Sequence, residues 1–248
     1  AEPELSGHNQ ASWLQRLEQE LDNMRAALDW LLSSGRVEDA LRAVSAVGRF
    51  WRAHGHFNEA RRWIATGLDL SEDISPGVRA DALWTAARQA TAQSDLDAAV
   101  ALLERALALG REHGHERRIA LVLCELGWIA LHRQQVEEAE AYCEEALTVA
   151  RSAGDERATS SALSGLADVC AARGDHGRAV ELHEEALALR RRLGDVLLVT
   201  DSTYRLGIAA FQAGDTPRAR QALVKSRELA RALGETPPFA GATFMLAE

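Results

Sequence analysis

Apolar residues recur along most of this chain at steps of three and four, the spacing that lays one stripe down an α-helix. Between Asn9 and Leu32 the stripe is Trp13, Leu14, Leu17, Leu21, Met24, Leu28 and Leu31, while Glu18, Glu20 and Asp22 lie off it. This predicts one long amphipathic helix, ended by Ser33-Ser34-Gly35. A second predicted helix runs from Val37 to Ala53 and a third from Phe57 to Leu70, with Ser75-Pro76-Gly77 as the break after it. More follow near 79–92, 96–112, 117–132, 136–152, 157–172, 176–192, 197–212 and 216–232. Thr216-Pro217 and Thr236-Pro237 each read as an N-cap and first helical residue, where proline's missing N–H costs nothing.

The predicted helices come in copies. A short polar turn followed by alanine recurs at Gly55 to Ala60, Ser94 to Ala99, Gln134 to Ala139, Gly174 to Ala179 and Gly214 to Ala219, so the alanines step by 39, 40, 40 and 40 residues. A fixed period of this size marks stacked supersecondary units, each burying its apolar stripe against its neighbours. In successive copies the first helix carries Val47-Gly48, Ala86-Ala87, Leu126-Gly127, Leu166-Ala167 and Leu206-Gly207. The small second member lets two helices approach closely, and a bulky replacement should overpack at about 1–3 kcal/mol. The second helix repeats alanine, a medium side chain and a small-large pair: Ala99, Leu103, Ala106-Leu107, then Ala139, Cys143, Ala146-Leu147, then Ala179, His183, Ala186-Leu187.

From about residue 37 to residue 248 this pattern resembles the tetratricopeptide repeat (TPR), in a variant longer than the usual period of about 34. The resemblance implies an all-α fold, a TPR-type α-solenoid: a right-handed superhelix of antiparallel helix pairs with repeats of about 40 residues. Residues 1–36 would be a long helix leading into an array at 37–248, with repeats near 37–75, 76–115, 116–155, 156–195 and 196–235. Extending the register puts Leu246-Ala247 where Leu206-Gly207 stood, so 236–248 is expected to be a truncated repeat of a longer protein. An apolar last helix there would suit self-association.

Composition supports helices: alanine is abundant, aromatic content is 5% and few segments are rich in β-branched residues. The net charge of −9 gives no support to direct nucleic-acid binding, although Arg36, Arg42, Arg49, Arg52, Arg61 and Arg62 leave a local basic surface open. Cys124, Cys143 and Cys170 are odd in number, lie in helical stretches and lack CxxC spacing, so they read as reduced core thiols of a cytoplasmic protein. No apolar run approaches the roughly 20 residues a bilayer demands, and no membrane association is expected.

The sequence offers no catalytic constellation, and the chain is read as a non-enzyme with no cofactor and no metal. His54 and His56, like His113 and His115, look like paired ligands, but both pairs fall in turns without the three or four convergent donors that a metal needs. His183-Glu184-Glu185-Ala186-Leu187 begins like a zinc-protease helix, yet Leu187 stands where the second histidine belongs.

A second resemblance lies in the first third. Glu20 to Trp30, Arg49-Phe50-Trp51 and Gly55 to Trp63 look like the start of the TPR region of bacterial signal-transduction ATPases, including LuxR-type and antibiotic-regulatory-type transcription regulators. It implies a protein- or peptide-binding domain acting as sensor or interaction region of an ATP-dependent transcription regulator; the alternative is a constitutive TPR scaffold for self-association or complex assembly. No G-x-x-x-x-G-K-[ST] phosphate loop occurs in the chain, so nucleotide hydrolysis is not assigned to it. In a TPR stack the first helices line a concave groove, which places Arg42, Arg49, Arg52, Trp84, Arg88, Trp128, His132, Asp168, Tyr204, Arg205, Ile208 and Gln212 as expected groove residues. Arginines and aromatics of this kind compose interaction hot spots. The expected partners are a protein or peptide, or a small effector, together with other domains of the parent protein and a second copy through the C-terminal end. Trp84 and Trp128 have a plainer reading as fillers beside alanine-rich crossings.

Overall fold

The computed structural model describes Leu5, residues 10–70 and residues 73–232. The Thr236-Pro237 cap, the truncated repeat and the self-associating end lie outside the described residues. Among those described there are thirteen α-helices and no strand: α1 (Gln10–Gln19), α2 (Leu21–Ser33), α3 (Val37–Ala46), α4 (Gly48–Ala53), α5 (Phe57–Leu70), α6 (Pro76–Ala92), α7 (Leu96–His113), α8 (Glu116–His132), α9 (Val136–Ser152), α10 (Glu156–Ala172), α11 (His176–Leu193), α12 (Val196–Gln212) and α13 (Thr216–Ala232). They fall into two compact units that divide within α8, between Leu126 and Gly127.

The turns inside the hairpins share one chemistry. The N–H three residues past the first helix of each hairpin returns to a carbonyl in its last turn: Arg36 to Leu31, His56 to Trp51, Asp95 to Ala90, Gln135 to Ala130, Asp175 to Cys170 and Asp215 to Ala210, all at 2.8–2.9 Å. This closure requires a left-handed residue just before the donor. Gly174 and Gly214 supply it at no steric cost, whereas Ser94 (φ 60°) and Gln134 (φ 61°) adopt it with a side chain in place. The residue after it opens the next helix: Asp95, Asp175 and Asp215 accept from the N–H of Ala98, Arg178 and Arg218.

Three local expectations need correction. The first helix is interrupted at Glu20, whose N–H still bonds to the Arg16 carbonyl while Asn23 Nδ2 donates to the Glu20 side chain at 2.6 Å. The helix expected from Val37 to Ala53 breaks at Val47. Here the buried Trp51 indole donates to the Val44 carbonyl (3.0 Å), which a continuous helix would bond to Gly48, and Gln89 Nε2 takes the Gly48 carbonyl from α6 (3.1 Å). The cap before α13 is Asp215 rather than Thr216, because the carboxylate reaches the Arg218 N–H and Thr216 is already helical. Pro76 starts α6, the N1 role sequence reasoning gave to Pro217.

The small-residue pairs sit where helices touch. In the first unit Gly48 faces Thr85, and a Cβ there would stand 3.0 Å from its methyl. In the second unit a Cβ on Gly207 would come within 2.8 Å of Leu223, and one on Gly127 within 2.7 Å of Cys143 Sγ. Cys143 is also met from α10, since a Cβ on Gly165 would lie 2.5 Å from the same sulfur. The thiol is fully buried in this two-glycine notch, and burial pushes its pKa up to about 12.

Candidate binding cleft

The expected groove residues of the first unit are largely engaged in holding that unit together. Arg42 Nη2 lies 2.6 Å from Glu38 Oε1, Arg49 donates to the Leu5 carbonyl at 2.8 Å, and Arg52 donates to the Gly48 carbonyl at 3.2 Å. Trp84 is half-buried, with the guanidinium carbons of Arg88 and Arg118 at 5.1 and 4.3 Å from its ring centre. Arg88 in turn pairs with Glu125 at 2.9 Å, and Arg118 with Asp81. Trp84 is thus both a space-filler and a cation–π platform. Other arginines of the suspected basic surface are answered by carboxylates: Arg36 by Asp39 and Arg61 by Asp95. His54 and His56 both approach one Glu18 oxygen, at 3.1 and 3.3 Å, and so tie α1 to their turn.

In the second unit the rings of Trp128 and His132 lie against each other, centroids 4.1 Å apart. The remaining five expected residues, Asp168, Tyr204, Arg205, Ile208 and Gln212, line a single cleft of about 540 Å³ between α10, α11 and α12. Steps of four residues along α12 place Tyr204, Ile208 and Gln212 on one face, and Asp201 and Arg205 beside them. Arg205 Nε donates to both oxygens of Asp201 (3.1 and 3.2 Å) and its Nη1 to Asp168 Oδ2 (2.6 Å). Burial alone would lower the Arg205 pKa; the carboxylates of Asp201 and Asp168 outweigh it and the net direction is up.

Sequence reasoning missed three members of this constellation. His183, in the seam of α11, is 2% exposed and points Nε2 to Asp168 Oδ1 at 3.4 Å. Asp201 could have been found from its i, i+4 spacing to Arg205. Arg190, 4% exposed, joins three helices: Nη1 donates to Ser202 Oγ (2.5 Å) and reaches Asp201 Oδ2 (3.3 Å), while Nε donates to Ser160 Oγ (3.4 Å). Its burial lowers its pKa, and Asp201 opposes that shift. A fixed guanidinium between two carboxylates, flanked by an aromatic and an aliphatic side chain, brings together arginine and tyrosine, two of the residue types enriched at interaction hot spots. Among the described residues no three His, Cys, Asp or Glu side chains are placed to hold a metal, and no helix is long and apolar enough to cross a membrane.

Comparison with known proteins agrees with this architecture. Residues 118–192 match the family model described as "Tetratricopeptide repeat". A Mycobacterium tuberculosis protein named as an HTH-type transcriptional regulator is 32% identical over 120 residues, which cover 45% of this chain and 14% of that protein, so the chain spans a small part of the curated relatives it matches. Among solved structures, a Signal Transduction ATPase with Numerous Domains with a tetratricopeptide repeat sensor, from Pyrococcus horikoshii, superimposes with a TM-score of 0.65 at 17% identity, covering 96% of this chain and 38% of that one. A Rap protein complexed with Competence and Sporulation Factor gives a TM-score of 0.69 at 15% identity over 91% of this chain and 72% of that one. At these identities the structural likeness establishes the fold. Residues 118–192 are tetratricopeptide repeats, and the described residues form an all-α array of TPR-type helix hairpins.

Proposed function

We propose that this chain binds a protein or peptide and serves as the sensor or interaction region of a bacterial ATP-dependent transcription regulator in the cytoplasm. The observation that carries the reading is the cleft of the second unit, where five residues expected on a TPR groove meet around the Asp168–Arg205–Asp201 array. The regulator context is supported by the mycobacterial relative, and the sensor role by the archaeal ATPase whose repeats carry that name. The Rap complex offers a precedent for a named factor held by this fold. A ligand in the cleft would act on the rest of the parent protein only by preferring one arrangement of the repeats over another.

The reading is tested by affinity capture from a lysate of the encoding organism, with mass spectrometry of what wild type and a Tyr204→Ala, Ile208→Ala variant retain. A peptide or protein kept by wild type and lost by the variant is the expected result. Equal recovery by both, or recovery of the parent protein alone together with self-association in sedimentation, refutes a cleft ligand and favours the constitutive scaffold.

A further inference from the structure

We infer that the cleft between α10, α11 and α12 takes the basic side chain, lysine or arginine, of its protein or peptide partner, an assignment that rests on the binding function proposed above. The argument starts from the bonding capacity still unused there. The charged lining is Asp168, Asp201 and Arg205, two carboxylates against one guanidinium. Arg205 is committed to those same carboxylates through Nε and Nη1, and Arg190 reaches Asp201 from the protein interior. His183 lines the cleft and is almost fully buried; with Nε2 directed at Asp168, its Nδ1 has no hydrogen-bond partner. That nitrogen is closed off from solvent, so the capacity a ligand can meet lies in the remaining lone pairs of the Asp168 and Asp201 carboxylates, against the unused N–H groups of Arg205.

A ligand that brings several N–H donors and a positive charge matches this lining. A lysine or arginine does so, and its aliphatic stem fits the apolar side of the same cleft, made by Ala171, Ile208 and Ala209. A carboxylate in its place would face Asp168 and Asp201, a like-charge arrangement that discriminates against acidic partners. The net charge of −9 on the chain adds an attractive field for a basic segment.

The test uses the whole chain and a positional library of fluorescein-labelled heptapeptides, read by fluorescence polarisation. Enrichment of lysine or arginine at one position is expected. The selected peptide should bind about tenfold more weakly to Asp168→Asn, as loss of a charged hydrogen-bond acceptor implies, and more weakly as salt is raised. Gln212 is exposed at the cleft, so Gln212→Lys and Gln212→Glu leave the packing alone; the first should lower affinity and the second raise it. Enrichment of acidic or neutral residues would leave peptide binding standing and overturn the basic-side-chain assignment. A basic preference indifferent to all three substitutions would overturn its location, and a library with no retained peptide would overturn both this inference and the function on which it rests.

Discussion

Cys143 offers a direct measurement of how closely the helices of the second unit are packed. Its sulfur lies in a notch made by Gly127 of α8 and Gly165 of α10, with no exposure to solvent. Replacing Gly165 by alanine puts a methyl 2.5 Å from that sulfur, well inside contact distance, while on its other side the Gly127 backbone approaches so closely that a Cβ there would also stand within 2.7 Å of the sulfur. Overpacking of this kind costs about 1–3 kcal/mol. The same change gains about 1 kcal/mol because alanine is the better helix former, so Gly165→Ala alone should destabilise by about 1 kcal/mol. Cys143→Ala alone loses a small buried group, about 1 kcal/mol. Together they should nearly restore wild-type stability, because the nearest atom of residue 143 to the new methyl is then a Cβ at 3.7 Å, an ordinary contact. The coupling energy of the cycle is therefore about 2 kcal/mol. Gly127→Ala should be rescued less, since its methyl also meets the Ala139 carbonyl at 3.3 Å. Urea unfolding followed by circular dichroism, with hydrogen exchange on α9 to localise the effect, measures all these terms. A stabilising Gly165→Ala, or a coupling below about 0.5 kcal/mol, would show that the thiol is not wedged.

Two further predictions follow from the turns and the charges. Ser94→Gly and Gln134→Gly should each stabilise by about 0.5–1 kcal/mol, by removing the cost of a side chain at positive φ; unchanged urea midpoints would contradict this. Hydrogen bonds from Arg25 hold the Glu59 carboxyl below the usual range, with burial opposing. A carboxylate with a depressed folded pKa contributes stability above its unfolded pKa of about 4.3 and loses it as pH falls through the folded value. The midpoint advantage of wild type over Glu59→Gln should therefore shrink between about pH 5 and pH 3, and a constant difference would refute the pairing.

What the sequence made legible was set by short-range rules. The polar turns and the small-residue pairs recur every 40 residues, so each copy corroborates the others, whereas the pattern does not disclose the aspartate caps and makes Thr216 read as a cap in place of Asp215. The break at Val47 was hidden in part because it involves a distant partner: Gly48 gives its carbonyl to Gln89, 41 residues on, and no local pattern announces that bond. The groove register was legible only as a set of positions. It did not show that Arg42, Arg49 and Arg52 would be engaged inside their own unit, or that Asp168, Tyr204, Arg205, Ile208 and Gln212 would share one cleft with His183 beside them.

His183 shows why that cleft stands apart from the rest of the array. At the same place on the second helices the chain carries Ile64, Leu103, Cys143, His183 and Leu223, every one nearly or fully buried. An imidazole there costs free energy unless its nitrogens are bonded, and one of them has no partner. The carboxylate that meets the other is Asp168, at a first-helix position held elsewhere by Arg88, Trp128 and Ile208. Arg205, which anchors Asp168, stands where earlier copies have Glu125 and Gly165. One departure from the repeat's packing pattern, His183, and two residues at positions that vary from copy to copy therefore converge on one cleft. A chain that followed its packing rule throughout would be the more stable one, and a departure that lies at a single accessible cleft is where function is expected to override packing.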